Sequence, residues 1–279
     1  MDKILFLCII YSTPPEDTST VKSLCKIDYF GKNIKPFFYI WDNSINGFDT
    51  KFVHSIFPKN NLLINHIGKN ERLSVIYNIV IESYKGLFDW IIILDDDSII
   101  DDEYMDCVKK FISQSKINND IKVAIPKIYN ENVMISPGKI VGVRGAILPT
   151  ISCGIVSKKN IVSMMSGTMI SISGYEQLPK FDERLSFYGV DTKFFLDLDN
   201  SCYKKYVLPY TMEHKSALRD KSLPISEQYK RFDNLFKARK IIYEHIPYYK
   251  YRLFLYKCLF SIKYTLIRKN FVFLKLIFS

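Results

Sequence analysis

Residues 88–102 read FDWIIILDDDSIIDD, and the reading of this stretch decides the fold. Trp90 to Leu94 form an unbroken apolar run. A strand that is apolar throughout is buried on both faces, as in a mainly parallel α/β sheet, where ligands gather at the carboxyl ends of the strands. This strand ends in Asp95, Asp96 and Asp97. Three adjacent carboxylates repel one another and resist leaving water. Either the triplet is a solvated strand-to-helix turn or a cation sits among the carboxylates, and the sequence leaves both readings open. Alternate residues of an extended chain point the same way, so Asp95 and Asp97 can share a side and suit a hard cation, Mg²⁺ or Mn²⁺. Asp101 and Asp102 have a simpler reading, as acids in the first turn of the next helix.

Outward from that strand, strand-like and helix-like segments alternate, the signal for parallel strands with crossover helices. KILFLCIIY (3–11), PFFYIWDNS (36–44), NLLINHI (61–67) and KVAIPKI (122–128) have strand length and composition. TSTVKSLCKI (18–27) reads as a helix capped by Thr18 or Ser19. ERLSVIYNIVIESYKG (71–86) has apolar residues at helical spacing and stops at Gly86. Residues 129–163 carry Pro137, Gly138, Gly142, Gly145, Pro149 and Gly154 and read as irregular loops. MMSGTMISIS (164–173) and YKKYVLPYTMEHK (203–215) are strand-like. A helix is expected over residues 190–199, and a long one begins at a Ser226 cap and ends before Pro247.

The chain of 279 residues is 48% hydrophobic and 24% charged, an ordinary globular composition. Cys8, Cys25, Cys107, Cys153, Cys202 and Cys258 include no CxxC or CxxH pair and read as reduced core thiols, neither a zinc site nor a disulfide framework. No window of about 18 uncharged apolar residues exists, so no segment qualifies as a membrane span, and the expected location is cytoplasmic. The net charge is +10, and residues 246–279 supply +7 of it without one acid. Basic charge confined to a tail argues against nucleic acid as a partner.

Several of these segments, in order, resemble the family 2 glycosyltransferases of GT-A fold, especially rhamnosyltransferase-like members. IIYSTPPEDTSTVKSL resembles the family's opening, WDNS its acid-bearing turn, and GKNERLSVIYNIVIE a segment in which Asn70 and Asn78 match while Arg72 and Ile76 replace the usual Gly and Ala. LDDDS resembles the family's DxD element, and FDERLSFYGVDTKFF a stretch ending in a Glu-Asp pair whose Asp falls on Asp191 and whose Glu is replaced by Val190. MEHK places His214 where many GT-A enzymes keep a histidine near the metal or diphosphate. The resemblance covers roughly residues 3–215.

The resemblance implies inverting transfer from a nucleotide-diphosphate sugar to an acceptor hydroxyl. Asp191 would be the general base, Asp97 and His214 the ligands of Mg²⁺ or Mn²⁺, and Tyr11, Asp42, Asn78, Asp95 and Asp96 the donor-binding set. Read without it, Asp42 is as well explained as a turn residue and Asp191 as a helix cap. The expected organisation is a GT-A catalytic domain over residues 1–215, a helical extension over 216–245 and a basic amphipathic tail over 246–279. On a helix, Lys250, Lys257, Arg268 and Lys275 fall near one stripe, which fits a segment lying on an anionic inner leaflet. That in turn fits a glycan or lipid-linked glycan acceptor in surface polysaccharide or lipopolysaccharide synthesis. Two rivals remain: a haloacid-dehalogenase-like phosphotransferase, which also places Asp-x-Asp after an apolar strand, and a non-catalytic basic membrane-binding module.

Overall fold

The computed structural model describes residues 1–173, 175–214 and 223–278. In chain order the elements are β1 (Asp2–Ile10), α1 (Ser19–Leu24), β2 (Ile34–Asp42), α2 (Lys51–Ile56), β3 (Leu62–His66), α3 (Leu73–Tyr84), β4 (Trp90–Asp95), α4 (Asp102–Ile117) and β5 (Ile121–Asn130). Short strands follow: β6 (Val133–Ser136), β7 (Gly138–Val141), β8 (Arg144–Ile147), β9 (Gly154–Val156), β10 (Ile161–Val162) and β11 (Thr168–Ser171). The chain closes with α5 (Val190–Leu198), β12 (Lys204–Glu213), α6 (Ile225–Ile242), α7 (Tyr249–Arg268) and a 3-10 segment, Phe271–Phe278.

The main sheet has the order β3-β2-β1-β4-β11-β5-β12-β9, with β6 pairing with β5. Strands β3, β2, β1 and β4 are mutually parallel, as expected from the alternating first half. β11 runs antiparallel between β4 and β5, while β12 is parallel to β5. The expected mostly parallel α/β sheet flanked by helices is therefore the observed fold.

β1 is buried on both faces. Leu5, Leu7 and Ile9 join Ile76, Tyr77 and Val80 of α3 in one core, and Phe6, Cys8 and Ile10 join Val21 and Leu24 of α1 and Met105, Val108 and Phe111 of α4 in the other. Each such side chain stabilises the fold by about 1.5–3 kcal/mol through lost apolar hydration. Local signals hold at the helix starts read from the sequence: Thr18 caps α1 by accepting the Val21 N–H at 3.4 Å, and Asp101 caps α4 by accepting the Tyr104 N–H at 2.9 Å.

Three expectations are corrected. Residues 129–163 are largely strands, with β10, β7 and β8 forming a second antiparallel sheet; their short lengths and glycines concealed the pairing. Only Cys8 and Cys107 are core thiols, whereas Cys25, Cys153 and Cys202 are exposed, and all six are unpaired. α6 begins at Ile225 after Pro224, and Ser226 lies inside the helix instead of capping it. The expected boundary between residues 215 and 216 lies outside the described residues.

α6 belongs to the body of the fold. Ala238, Ile242 and the adjoining Tyr243 pack into the core that contains α5, and Phe232 and Phe236 form a third cluster with Leu253, Phe273 and Leu276 of the tail. The α5–α6 contact depends on Gly189, which sits at φ +81°, where a Cβ would lie 2.4 Å from Ile242 Cδ1 and 3.3 Å from Ala238 Cβ. The left-handed backbone costs a substituted residue about 1–2 kcal/mol even before that clash. Gly189→Ala is accordingly expected to lower the thermal midpoint by a few degrees, measured by circular dichroism; an unchanged midpoint would mean that α6 is not seated against α5.

Candidate active site

The strand order turns at β1 and β4: the chain builds outward from β1 through β2 and β3, then returns to place β4 on the other side. Such a switch point leaves a crevice beyond the carboxyl ends of the strands. Ile9 is in register with Asp95, so Tyr11 and Asp96 lie just past the paired ends. A cleft of about 840 Å³ opens there, lined by Tyr11, Asn43, Asn70, Asp95, Asp96, Asp97, Asp191 and His214 among others. The acidic turn is held from α1, where the Thr20 hydroxyl donates to the Asp95 carbonyl and, at 2.8 Å, to that of Ser98. The Asp95 N–H donates to Ser98 Oγ at 3.0 Å.

The antiparallel course of β11 brings its amino end to the carboxyl end of β4, with Thr168 opposite Ile93. Gly167 makes the approach possible: it lies at φ +71°, its N–H bonds the Ile93 carbonyl at 2.8 Å, and a Cβ would lie 3.1 Å from Pro126 Cγ and 2.6 Å from Met212 Sδ. Ser166 is thereby delivered to Asp95, and its hydroxyl donates to Asp95 Oδ2. One residue earlier, the Met165 N–H donates to Asp191 Oδ2 at 3.3 Å. Asp191 stands in the first turn of α5, directly after Gly189 and Val190.

Three carboxyls in this cleft, those of Asp95, Asp96 and Asp191, resist ionisation. Burial is the main cause at Asp191, with the nearby Asp95 charge adding to it, and together they push its carboxyl up to about 7. Asp95 is raised by burial, against the Ser166 hydrogen bond that favours its charged form. Asp96 is raised by burial and by the neighbouring carboxylates, partly offset by a backbone hydrogen bond from Tyr11. His214 is shifted the opposite way in charge terms: its hydrogen bond to Asp97 raises it and favours imidazolium.

Asp97 Oδ2 and His214 Nδ1 stand 3.2 Å apart. That separation fits the edge of an octahedron built on ligand distances of about 2.1 Å, so one divalent cation could replace the shared proton and bind both atoms. No cluster of three or more His, Cys, Asp or Glu side chains suited to a metal occurs among the described residues. A cation here would therefore draw its remaining ligands from water or substrate, as Mg²⁺ and Mn²⁺ do when they bridge phosphates.

Six of the expected site residues, Tyr11, Asp95, Asp96, Asp97, Asp191 and His214, are brought into one cleft. Asp42 and Asn78 are not among its lining residues. Asp42 uses Oδ1 to accept the Ser44 N–H at 2.9 Å and Oδ2 to accept the Phe48 N–H at 3.0 Å, which closes the loop after β2. Asn78 donates to the Phe181 carbonyl and to Glu183 and accepts from Tyr175 and from the Phe181 N–H, which pins residues 175–183 onto α3. Both side chains hold loops that border the cleft. Asn43 lines the cleft beside Asp42, bonded to Asn70 and to the Glu71 backbone. Ser166, Asn43, Arg231 and Arg239 were not found from sequence; only the SG pair before a strand-like run hinted at the first, and the two arginines lie in an unremarkable helical pattern.

Neither a protein-family profile nor a curated protein matches this sequence. Solved structures do match it in three dimensions. Residues 1–349 of S. aureus TarS align at 14% identity with a TM-score of 0.54, covering 85% of this chain and 72% of that one. TarS 1–349 in complex with UDP-GlcNAc aligns with a TM-score of 0.50, at 14% identity over 85% of this chain and 66% of that one. GalNAc-T7 with UDP, GalNAc and Mn²⁺ aligns at 14% identity with a TM-score of 0.62, over 89% of this chain and 49% of that one, so this chain spans about half its length. The shared architecture is the GT-A glycosyltransferase fold.

In cation-free protein labelled with ¹³C at aspartate Cγ, Asp191 is expected to titrate near pH 7, well above the ordinary aspartate value of about 4, and Asp191→Asn is expected to remove that transition. If every aspartate titrates below pH 5, the carboxyl is not buried as described.

Proposed function

We propose that the protein is an inverting glycosyltransferase of the family 2, rhamnosyltransferase-like kind, which moves a sugar from a nucleotide-diphosphate donor to an acceptor hydroxyl. The observation that carries this reading is the meeting, in one cleft at the switch point of a GT-A sheet, of the Asp97–His214 pair with the high-pKa carboxyl of Asp191. A base that must take a proton from a hydroxyl near neutrality works best when its own pKa lies close to the working pH. Asp191 meets that demand, and the Met165 N–H orients it.

In this mechanism the acceptor oxygen forms its bond to the anomeric carbon as the bond from that carbon to the diphosphate breaks on the opposite face. The acceptor proton passes to Asp191. Asp95, held by Ser166, and Asp96, beside Tyr11, are placed to accept hydrogen bonds from donor hydroxyls. A bound Mg²⁺ or Mn²⁺ on Asp97 and His214 would neutralise the departing diphosphate. The phosphotransferase alternative needs Asp95 as a free nucleophile, whereas its Oδ2 already accepts the Ser166 hydroxyl.

Screening nucleotide-sugars for thermal stabilisation with Mn²⁺ present tests the reading. One or more should stabilise the wild type, Asp97→Ala should lose the effect, and Asp191→Asn should keep it while transfer or donor hydrolysis falls by about 10²–10⁴-fold. Stabilisation by no member of the panel, or full transfer by Asp191→Asn, would sink it.

The reading extends to a peripheral protein on the cytoplasmic face of a membrane with a glycan or lipid-linked glycan acceptor for surface polysaccharide or lipopolysaccharide. No helix among the described residues is long and apolar enough to cross a membrane. The tail does not present the expected basic stripe, because Lys257 is buried with its ammonium 5.4 Å from the Phe236 ring centre and Arg268 donates to the Leu223 carbonyl. Instead α7 exposes an apolar row, Tyr251, Leu255, Leu259, Ile262 and Leu266, spaced four, four, three and four residues apart, which places them on one face. Arg252, Lys263 and Lys269 are exposed close to that row. Two copies meeting there would oppose like charges, whereas an anionic leaflet accepts both the apolar row and the cations. Sedimentation with phosphatidylglycerol vesicles should fall at least tenfold in a Leu259→Glu, Leu266→Glu double variant. Dimerisation through this face without vesicle binding would overturn it.

A further inference from the structure

Arg239 has surroundings unusual for a cation. It is 9% exposed, lines the active-site cleft from α6, and its guanidinium carbon lies 4.6 Å from the Tyr256 ring centre and 5.4 Å from that of Phe236. Among the described residues its guanidinium has no carboxylate partner and makes no hydrogen bond, and Nη1 is buried without one. Aromatic faces soften the cost of desolvating a guanidinium but supply no acceptor oxygens for its five N–H donors. A buried charge without a counter-ion is strongly unfavourable, and an anion brought by a ligand would compensate it.

The position says which ligand. Ala238 and Ile242, the neighbours of Arg239 on α6, pack against Gly189. Asp191 lies two residues beyond Gly189 and turns toward Met165 and the Ser166–Asp95 pair. The base thus stands between the β4 acids, which suit the donor and its cation, and the α6 wall. That wall also carries Arg231, whose Nη2 pairs with Glu227 at 2.7 Å.

We propose that Arg239, assisted by Arg231, binds a phosphate group carried by the acceptor, so that the acceptor is a phosphate-bearing molecule. This rests on the transferase reading above and names its second substrate. The planar guanidinium fork matches a phosphate bidentately, and stacking on Tyr256 fixes its plane before the ligand arrives. Because Tyr256 belongs to α7, the same ring joins the anion site to the helix with the exposed apolar face. The phosphate has two sources, a lipid carrier or a phosphate within the glycan.

The test uses the full chain in buffer without divalent cations, where the proposed donor site is silent, and titrates inorganic phosphate, glycerol 3-phosphate and geranyl phosphate by calorimetry. Wild type is expected to bind all three. Tighter binding of geranyl phosphate assigns the lipid source, and equal binding assigns the glycan source. Arg239→Met should weaken binding at least tenfold while Mn²⁺-dependent nucleotide-sugar binding stays within twofold. Arg239→Lys keeps the buried charge and should weaken binding about threefold or more, which preserves the test if the methionine variant does not fold. Unchanged phosphate affinity in the variants, or parallel loss of nucleotide-sugar binding, would overturn the proposal. Absence of nucleotide-sugar binding in the wild type would instead overturn the transferase reading and leave the phosphate result standing by itself.

Discussion

The arrangement of the site depends on one constraint: β11 enters the sheet antiparallel, between β4 and β5. A parallel strand in that place would send its amino end away from the crevice. As built, the strand puts Met165 and Ser166 against the acids at the end of β4. Gly167 permits the approach because neither its backbone conformation nor the space beside Pro126 and Met212 accommodates a side chain. One short strand therefore orients both Asp95 and Asp191, although neither belongs to it.

Electrostatics then divide the cleft. On one side Asp95, Asp96 and Asp97 share a turn, and mutual repulsion is relieved by the Ser166 hydroxyl, the Tyr11 backbone and the Asp97–His214 pair. On the other, α6 contributes Arg231 and Arg239. Asp191 lies between unlike fields, with burial and the Asp95 charge pushing its carboxyl up to about 7. A surface of one sign would attract one kind of charged group; acids and arginines on opposite walls can hold two unlike groups at once.

The C-terminal segment is continuous with this design. α6 reaches the cleft on one side and the aromatic cluster of α7 on the other, so Phe232, Phe236 and Tyr256 connect the tail to the α/β body. Composition had marked residues 246–279 as basic and aromatic, but not which side chains would turn inward. Packing chose Leu253, Lys257 and Ser261 for the inner face and left the Leu255–Leu266 row outside.

What the sequence determined by itself was whatever depends on local order. The apolar strands, a cap at or next to Thr18, the helix that opens at the Asp101–Asp102 acids, the strand-end placement of Asp95 to Asp97 and the helix from Val190 follow from periodicity and short-range hydrogen bonding. The tertiary structure decided the rest. Asp42 and Asn78 carry no sign in the sequence of the loop backbones that they hold, at positions 44 and 48 in one case and at 181 in the other. Ser166 and Arg239 gain significance only from a partner 71 residues away in one case and, in the other, from a buried nitrogen with no hydrogen-bond partner among the described residues. Hydrogen-bond saturation and charge compensation are properties of neighbours in space, and a sequence orders only neighbours along the chain.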